Sequence, residues 1–427
     1  MSDEHLRAAD AILAGCGSAR ILASMSPQQP DALMRAVLAV ARRRDIKLTM
    51  MFADLSGSFA FLDEKAEQDV VSGRLQLVSL AGAIHRRWSR MIDYLPYSLW
   101  DIDRMLLSGD LPVDIVIARI RDGETGQSAD FGEMVGYTAS ALATKARAIF
   151  EVVGGTGPTG FRTTPSFKLD RADIVVRSGP PPRPVEAASQ LTAEQREIGR
   201  LASTLIPDEV TLQLGLGAIA EAVASSLAHK HALGIHSGIL TPSLNNLIKS
   251  GVITGQAKSR DVGMTIATGI LGSSRSADDW GGQTELRPIS ETHNPSLLLS
   301  QRRLWAINSA LEVDLTGQVN AEYVDGVRIA SGGGQSDFVR AAHFSEGGAS
   351  VIALPARTQR GRSRIVPRIS CPATSAGQDV DYIVTEHGIA ALRGLSAREK
   401  AKAIIAVAHP DDRHELSDQP TSALKAV

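Results

Sequence analysis

Short apolar runs alternate with stretches of helical periodicity along most of this chain. Leu33 to Arg42 spaces its apolar residues as a helix does, and Ile46 to Phe52 is an apolar run of strand length. Leu75 to Leu80 predicts another strand. Asp114-Ile-Val-Ile-Ala118 predicts a further one, buried on both faces because its β-branched run is unbroken. Thr138 to Ile149 reads as a helix leading directly into Phe150-Glu-Val-Val153. The rhythm continues with a helix from Thr192 to Leu205, capped by Thr192, with Glu194 and Gln195 in its first turns. A strand at Val210 to Leu214, a turn at Gly215-Leu-Gly217 and an Ala-rich helix at Ala218 to Leu227 follow. Later strands are expected at Val351 to Leu354, Arg364 to Val366 and Tyr382 to Val384, and a late helix at Ser396 to Val407. The alternation predicts an α/β protein with mostly parallel open sheets flanked by helices.

The rhythm breaks at Ser178-Gly-Pro-Pro-Pro-Arg-Pro184, where four prolines in seven residues remove backbone donors. This predicts two similar domains, 1–180 and 193–427, joined by a Pro-rich linker over 181–192; an ordinary surface loop also accounts for the composition. A length of 427 residues suits two domains better than one. Aromatic residues make up only 4%, so Ala, Val, Ile and Leu must fill the cores. The net charge of −2 gives no reason to expect nucleic acid. Two cysteines, Cys16 and Cys371, make no disulfide framework and fit a reducing compartment. The start of the chain has no basic region followed by an apolar core, and no apolar run reaches the ~18 residues of a membrane span. A cytoplasmic protein with no membrane partner is expected.

Several segments carry candidate chemistry. In Gln213-Leu-Gly-Leu-Gly217, glycines between a strand and a helix permit a tight turn and close ligand approach, with helix-start N–H groups favouring negative charge. Plain turn chemistry explains it equally. Ser331-Gly-Gly-Gly-Gln-Ser-Asp-Phe338 has three consecutive glycines, whose entropic cost persists where a side chain would collide with something. Ile307 to Asn320 reads as a strand with polar groups at both ends, where Asn308, Glu312 and Asp314 can orient neighbours. Asp381 to Gly394 reads as a strand, a polar turn containing Glu386 and His387, and the start of a helix. Arg362 and Arg364 offer guanidinium forks suited to phosphate, or else form a solvated edge. His409, Asp411 and His414 lack the spacing of a metal site, and no metal is expected.

Read with Leu233-Gly-Ile-His-Ser-Gly-Ile-Leu240 and Val384-Thr-Glu-His-Gly388, these motifs resemble the acetyl-CoA hydrolase/transferase family. That group includes 4-hydroxybutyrate and butyrate:acetate CoA-transferases. The resemblance covers about residues 75–420 and is strongest beyond 205. It implies the class I CoA-transferase (NagB/RpiA-like) fold, an acyl-CoA substrate, a carboxylic acid acceptor, no tightly bound cofactor, and a homodimer. By resemblance, Leu216 and Gly217 are oxyanion-hole candidates. Asn308, Gly333, Gly334, Gln335, Arg362 and Arg364 are candidates for the CoA side, and Glu386 for a carboxylate of the active-site cleft. In the first half, Tyr94-Leu-Pro-Tyr97 and Leu111 to Val116 keep the family outline. Ala118 to Glu124 and Glu151-Val-Val153 depart from the family's Ser-Pro-Pro-Asp-x-His-Gly and Glu-Val-Asn.

The resemblance also exposes a loss. Family members read Gly-Ile-His-Thr/Ser-Glu, and that Glu attacks the thioester; here the matching residue is Gly238. Four readings follow. Ser237 can serve as nucleophile beside His236, although strand neighbours point to opposite faces. Glu291 or His293 can reach in from another loop. A water activated by His236 can hydrolyse the thioester directly. Or the protein is a catalytically degenerate CoA-ester binder, or a partner of an active subunit.

Overall fold

The structure, a computed structural model, describes residues 2–55, 57–84, 87–122, 128–154, 161–179, 190–272, 280 and 283–418. The chain divides into two compact units. The first comprises Met1–Val185, Thr268–Thr292 and Arg328–Gly333; the second comprises Glu186–Ala267, His293–Val327 and Gly334–Val427. The later segments join the first unit for visible reasons: Phe161–Thr163 pairs in parallel with Thr284–Leu286, and the Ile84 N–H donates to the Ile329 carbonyl at 2.8 Å. Most of the Pro-rich segment lies outside the described residues.

In the first unit, seven strands form the main path of a sheet: β1 (Ser18–Ala23), β2 (Lys47–Asp54), β3 (Leu75–Gly82), β4 (Ile92–Tyr94), β5 (Ile115–Asp122), β6 (Arg147–Val153) and β7 (Ile174–Ser178). Their spatial order is β7-β6-β5-β1-β2-β3-β4, all parallel. Helices α1 (Asp3–Ile12) and α2 (Asp31–Arg44) bury Ile12, Leu33 and Val37 in one cluster with Ile21, Met50, Phe52 and Ile117. Strand order reverses between β1 and β5. In open parallel sheets such a reversal opens a crevice at the carboxyl ends of the strands.

In the second unit, six strands run in the order β13-β12-β11-β10-β8-β9. They are β8 (Thr211–Leu214), β9 (Gly234–Leu240), β10 (Leu304–Ser309), β11 (Ala349–Ala353), β12 (Tyr382–Thr385) and β13 (Gly388–Ala391). All pair in parallel except the β12–β13 hairpin. The α/β class with mostly parallel, helix-flanked sheets therefore holds.

Three sequence expectations need correction. The helix predicted from Thr138 to Ile149 stops at Leu142, and β6 begins at Arg147. The helix-forming residues there yield to burial between β5 and β7, since tertiary context outweighs local propensity. The strand read from Ile307 to Asn320 is three short strands, broken at Ala310-Leu311 and at the Asp314–Gly317 turn, whose Oδ1 of Asp314 accepts from the Thr316 and Gln318 N–H groups. Asp381 to Gly394 is a hairpin, not a strand leading into a helix. Glu386 and His387 form its turn.

One buried acid has a consequence for stability. Asp103, on α3 (Leu99–Ser108), is fully buried. Burial pushes its carboxyl up to about 7, partly offset by the Ser140 hydroxyl and the Ser290 main chain. The native protein therefore keeps a proton that the unfolded chain has lost, so stability falls as pH rises from ~4 through about 7. Asp103→Asn removes that decline. Its melting temperature at about pH 8 should exceed the parent's, with a ceiling near 4 kcal/mol, and the two should converge at about pH 4. Equal melting temperatures at both pH values would show that Asp103 ionises freely.

Candidate functional site

The second unit gathers most of the singled-out residues around β8, β9 and β10. On β9, side chains alternate between faces, so His236 and Gly238 share one face and Ser237 takes the other. Ser237 is fully buried and donates to the Leu214 carbonyl on β8 at 3.3 Å. It points away from His236, and no Ser–His pair forms.

Gly238 faces a histidine. A side-chain carbon at this position would lie 3.3 Å from Nε2 and 3.4 Å from Cε1 of His293, and 4.0 Å from the Phe338 ring. Phe338 lies on the helix Gln335–Phe344 and packs edge-on against both imidazoles, with centroids 4.9 Å from His293 and 6.5 Å from His236. Gly334, at the start of that helix, lies so close that a Cβ there would overlap the His293 ring. This close approach explains one of the three consecutive glycines. His293 is fully enclosed. Burial, with a smaller contribution from neighbouring His236, lowers its pKa to about 3, so the ring stays neutral at ordinary pH.

The Gly-x-Gly turn sits at the end of β8. Gly217 has φ +102° and ψ −178°, a conformation open only to glycine, and it caps the helix Ala218–Ser225. Leu216 is exposed. Gln213 and Asn308, on adjacent strands, exchange two amide hydrogen bonds of 3.1 and 2.9 Å. A side-chain carbon on Gly215 would stand 3.0 Å from the Asn308 Oδ1. The amide pair thus fixes the turn's base, and Asn308 is committed to Gln213.

Other candidates are engaged elsewhere in the same unit. Glu386 Oε2 accepts from the Ala356 N–H at 2.9 Å, and Oε1 lies 3.7 Å from His387. Arg362 grips the exposed Asp325 at 2.6 and 3.3 Å. Arg364 donates to the Ala310 and Leu311 carbonyls, and its burial lowers its pKa. Gln335 reaches the Ser375 hydroxyl at 3.4 Å. His409 and Asp411 lie beside Arg357, whereas His414 pairs with Asp418. Among the described residues no cluster of three such ligands could hold a metal.

In the first unit, Gly333 accepts the Leu99 N–H at 3.0 Å, and Ser331 lies 3.3 Å from Ser79. Glu291 is half-exposed and 3.7 Å from Arg287. Toward the carboxyl ends of β5 and β6, buried Glu151 meets the Ser178 hydroxyl at 2.8 Å, His5 at 3.5 Å and Arg119 at 3.6 Å. Beside them, burial and the Asp54 charge raise Asp31 to about 6. Sequence reading missed this charged group; an acid closing a strand, as at Asp54, and one opening the next helix, as at Asp31, are the signals that point to it.

Comparison with known proteins places the chain as a whole. Residues 275–420 match the acetyl-CoA hydrolase/transferase C-terminal domain. The chain is 32% identical over 334 residues to the 4-hydroxybutyrate coenzyme A transferase of Clostridium kluyveri, with 77% of each covered. It is 35% identical over 253 residues to an acetyl-CoA hydrolase of Kluyveromyces lactis, covering 56% of this chain and 46% of that one. The crystal structure of RipA from Yersinia pestis superposes with a TM-score of 0.84 at 29% identity, covering 96% of this chain and 95% of that one.

Proposed function

Because this chain belongs to the acetyl-CoA hydrolase/transferase family, acting on acyl-CoA thioesters as transferase or hydrolase, we propose that it works by direct attack of water. One observation supports this reading: Gly238, which the motif resemblance matches to the family's attacking carboxylate, faces a buried, neutral imidazole. A glycine can form neither an acyl-glutamyl anhydride nor a glutamyl-CoA thioester. The relatives' activities do not favour a catalytically idle binder.

In this reading the thioester carbonyl oxygen takes hydrogen bonds from the Leu216 and Gly217 main-chain N–H groups. Such preorganised donors contribute ~10²–10³ in rate. Water enters beside Gly238 and attacks the carbonyl carbon, and His236 takes its proton. The tetrahedral centre collapses, the carbon–sulfur bond breaks, and the thiolate leaves and is protonated. His293, held neutral, orients the water through a ring nitrogen without adding charge. Gly334 and Gln335 are proposed to line the pantetheine side, with Arg362 and Arg364 toward the phosphates. For that, Arg362 has to release Asp325. Glu386 is proposed as a polar wall of the cleft, and the working unit as a cytoplasmic homodimer.

The test offers several acyl-CoAs with and without acetate as acceptor and follows free thiol. Thiol release at the same rate in both supports hydrolysis. A new acyl-CoA formed only with acceptor, without net thiol, would overturn it.

A further inference from the structure

The first unit contains a cavity that the acyl-CoA reading does not use. It holds about 1320 Å³ and opens at the amino ends of β1, β2, β5 and β6, the end opposite the strand-order crevice. Ligand pockets commonly fall at ~300–1,000 Å³, so this one accommodates a small molecule with solvent to spare. Its lining is electrostatically one-sided. Lys47, at the start of β2, Arg147, at the start of β6, and Lys145 face a single carboxylate, Asp114. That carboxylate is already occupied, accepting the Arg20 main-chain N–H at 2.7 Å. Lys47 and Arg147 stand three strand spacings apart, ~14 Å, with β1 and β5 between them. Arg147 turns its guanidinium toward the cavity wall, with Nη2 3.1 Å from the Cys16 sulfur.

We propose that this cavity binds a small polyanion, a compound carrying two or more phosphate or carboxylate groups. Two lysines and an arginine line it from two strands and a loop. A guanidinium offers paired donors to an oxyanion, and the lysines add mobile point charges. A monoanion would satisfy one of these cations; a ligand with separated anionic groups satisfies Lys47 and Arg147 together. Gly15, Gly17 and Gly109 border the space, and a Cβ on any of them would meet nothing within 4 Å, so the walls leave room for a ligand to settle.

Cys16 supplies a local reporter. In a Cys371→Ser protein it is the sole thiol, and its alkylation by iodoacetamide reads the cavity's occupancy. Tripolyphosphate and citrate are added separately at constant ionic strength. At saturation, one or both should slow alkylation about tenfold, and the better protector names phosphate or carboxylate as the ligand chemistry. Lys47→Met with Lys145→Met, both at exposed positions, should raise the concentration needed by about tenfold or more. Calorimetry gives a readout free of thiol chemistry: heat on adding the protecting anion to the parent, lost in the double variant. No protection and no heat from either anion would overturn the proposal. So would equal protection in the double variant.

Discussion

Replacing His293 with asparagine should lower the rate of thioester cleavage by about 10²-fold, the loss that ~1 Å of misplacement of the attacking water can cause. The ring lies against Gly238, Gly334 and Phe338, so its removal takes away the polar group nearest the altered position. A structural explanation is separated by pH. Native His293 has its pKa near 3, whereas an unfolded imidazole titrates at ~6.5. The unfolded chain therefore takes up a proton that the native protein refuses, and parent stability falls as pH drops from ~6.5 toward 3. His293→Asn should flatten that acid limb while the protein stays folded at neutral pH. Full cleavage activity with a flattened limb would make His293 a packing residue alone.

Gly238→Glu should convert the chemistry rather than abolish it. The new Cβ meets His293 at 3.3 and 3.4 Å, so the ring must give by a few tenths of an ångström. The carboxylate would then lie beside the imidazole and raise its pKa, since an opposite charge favours the cation. Water loses its place, and thiol release without acceptor should fall about tenfold. A carboxylate in this position can instead attack the thioester, and CoA should appear covalently attached to the protein by intact-mass analysis. Unchanged hydrolysis in the variant would remove position 238 from the site.

The fold was readable where pattern and packing agree. Helices at Asp31–Arg44 and Ala193–Leu205, and strands such as Lys47–Asp54, follow directly from periodicity and capping. It was misread where burial overrules propensity, as at Arg147–Ile149, and where a turn reverses the chain, as at Glu386-His387. The site was legible as motifs but not as geometry. Strand alternation correctly separated Ser237 from His236. Ser290 to Pro295 offered Glu291 and His293 alike, and nothing in it shows which one closes over Gly238, because that contact joins residues 55 positions apart in the chain. The commitment of Asn308 to Gln213 and of Arg364 to two carbonyls was likewise invisible, since a side chain's partner depends on the neighbouring strand.

In the proposed reaction water, and no enzyme carboxylate, attacks the thioester. A single turnover with enzyme in excess, in heavy-oxygen water, separates the two routes. Attack by water leaves one heavy oxygen in the released acid, one free CoA thiol, and a protein of unchanged mass. Heavy oxygen incorporated into the protein, or CoA bound to it, would mean that an enzyme carboxylate attacks instead.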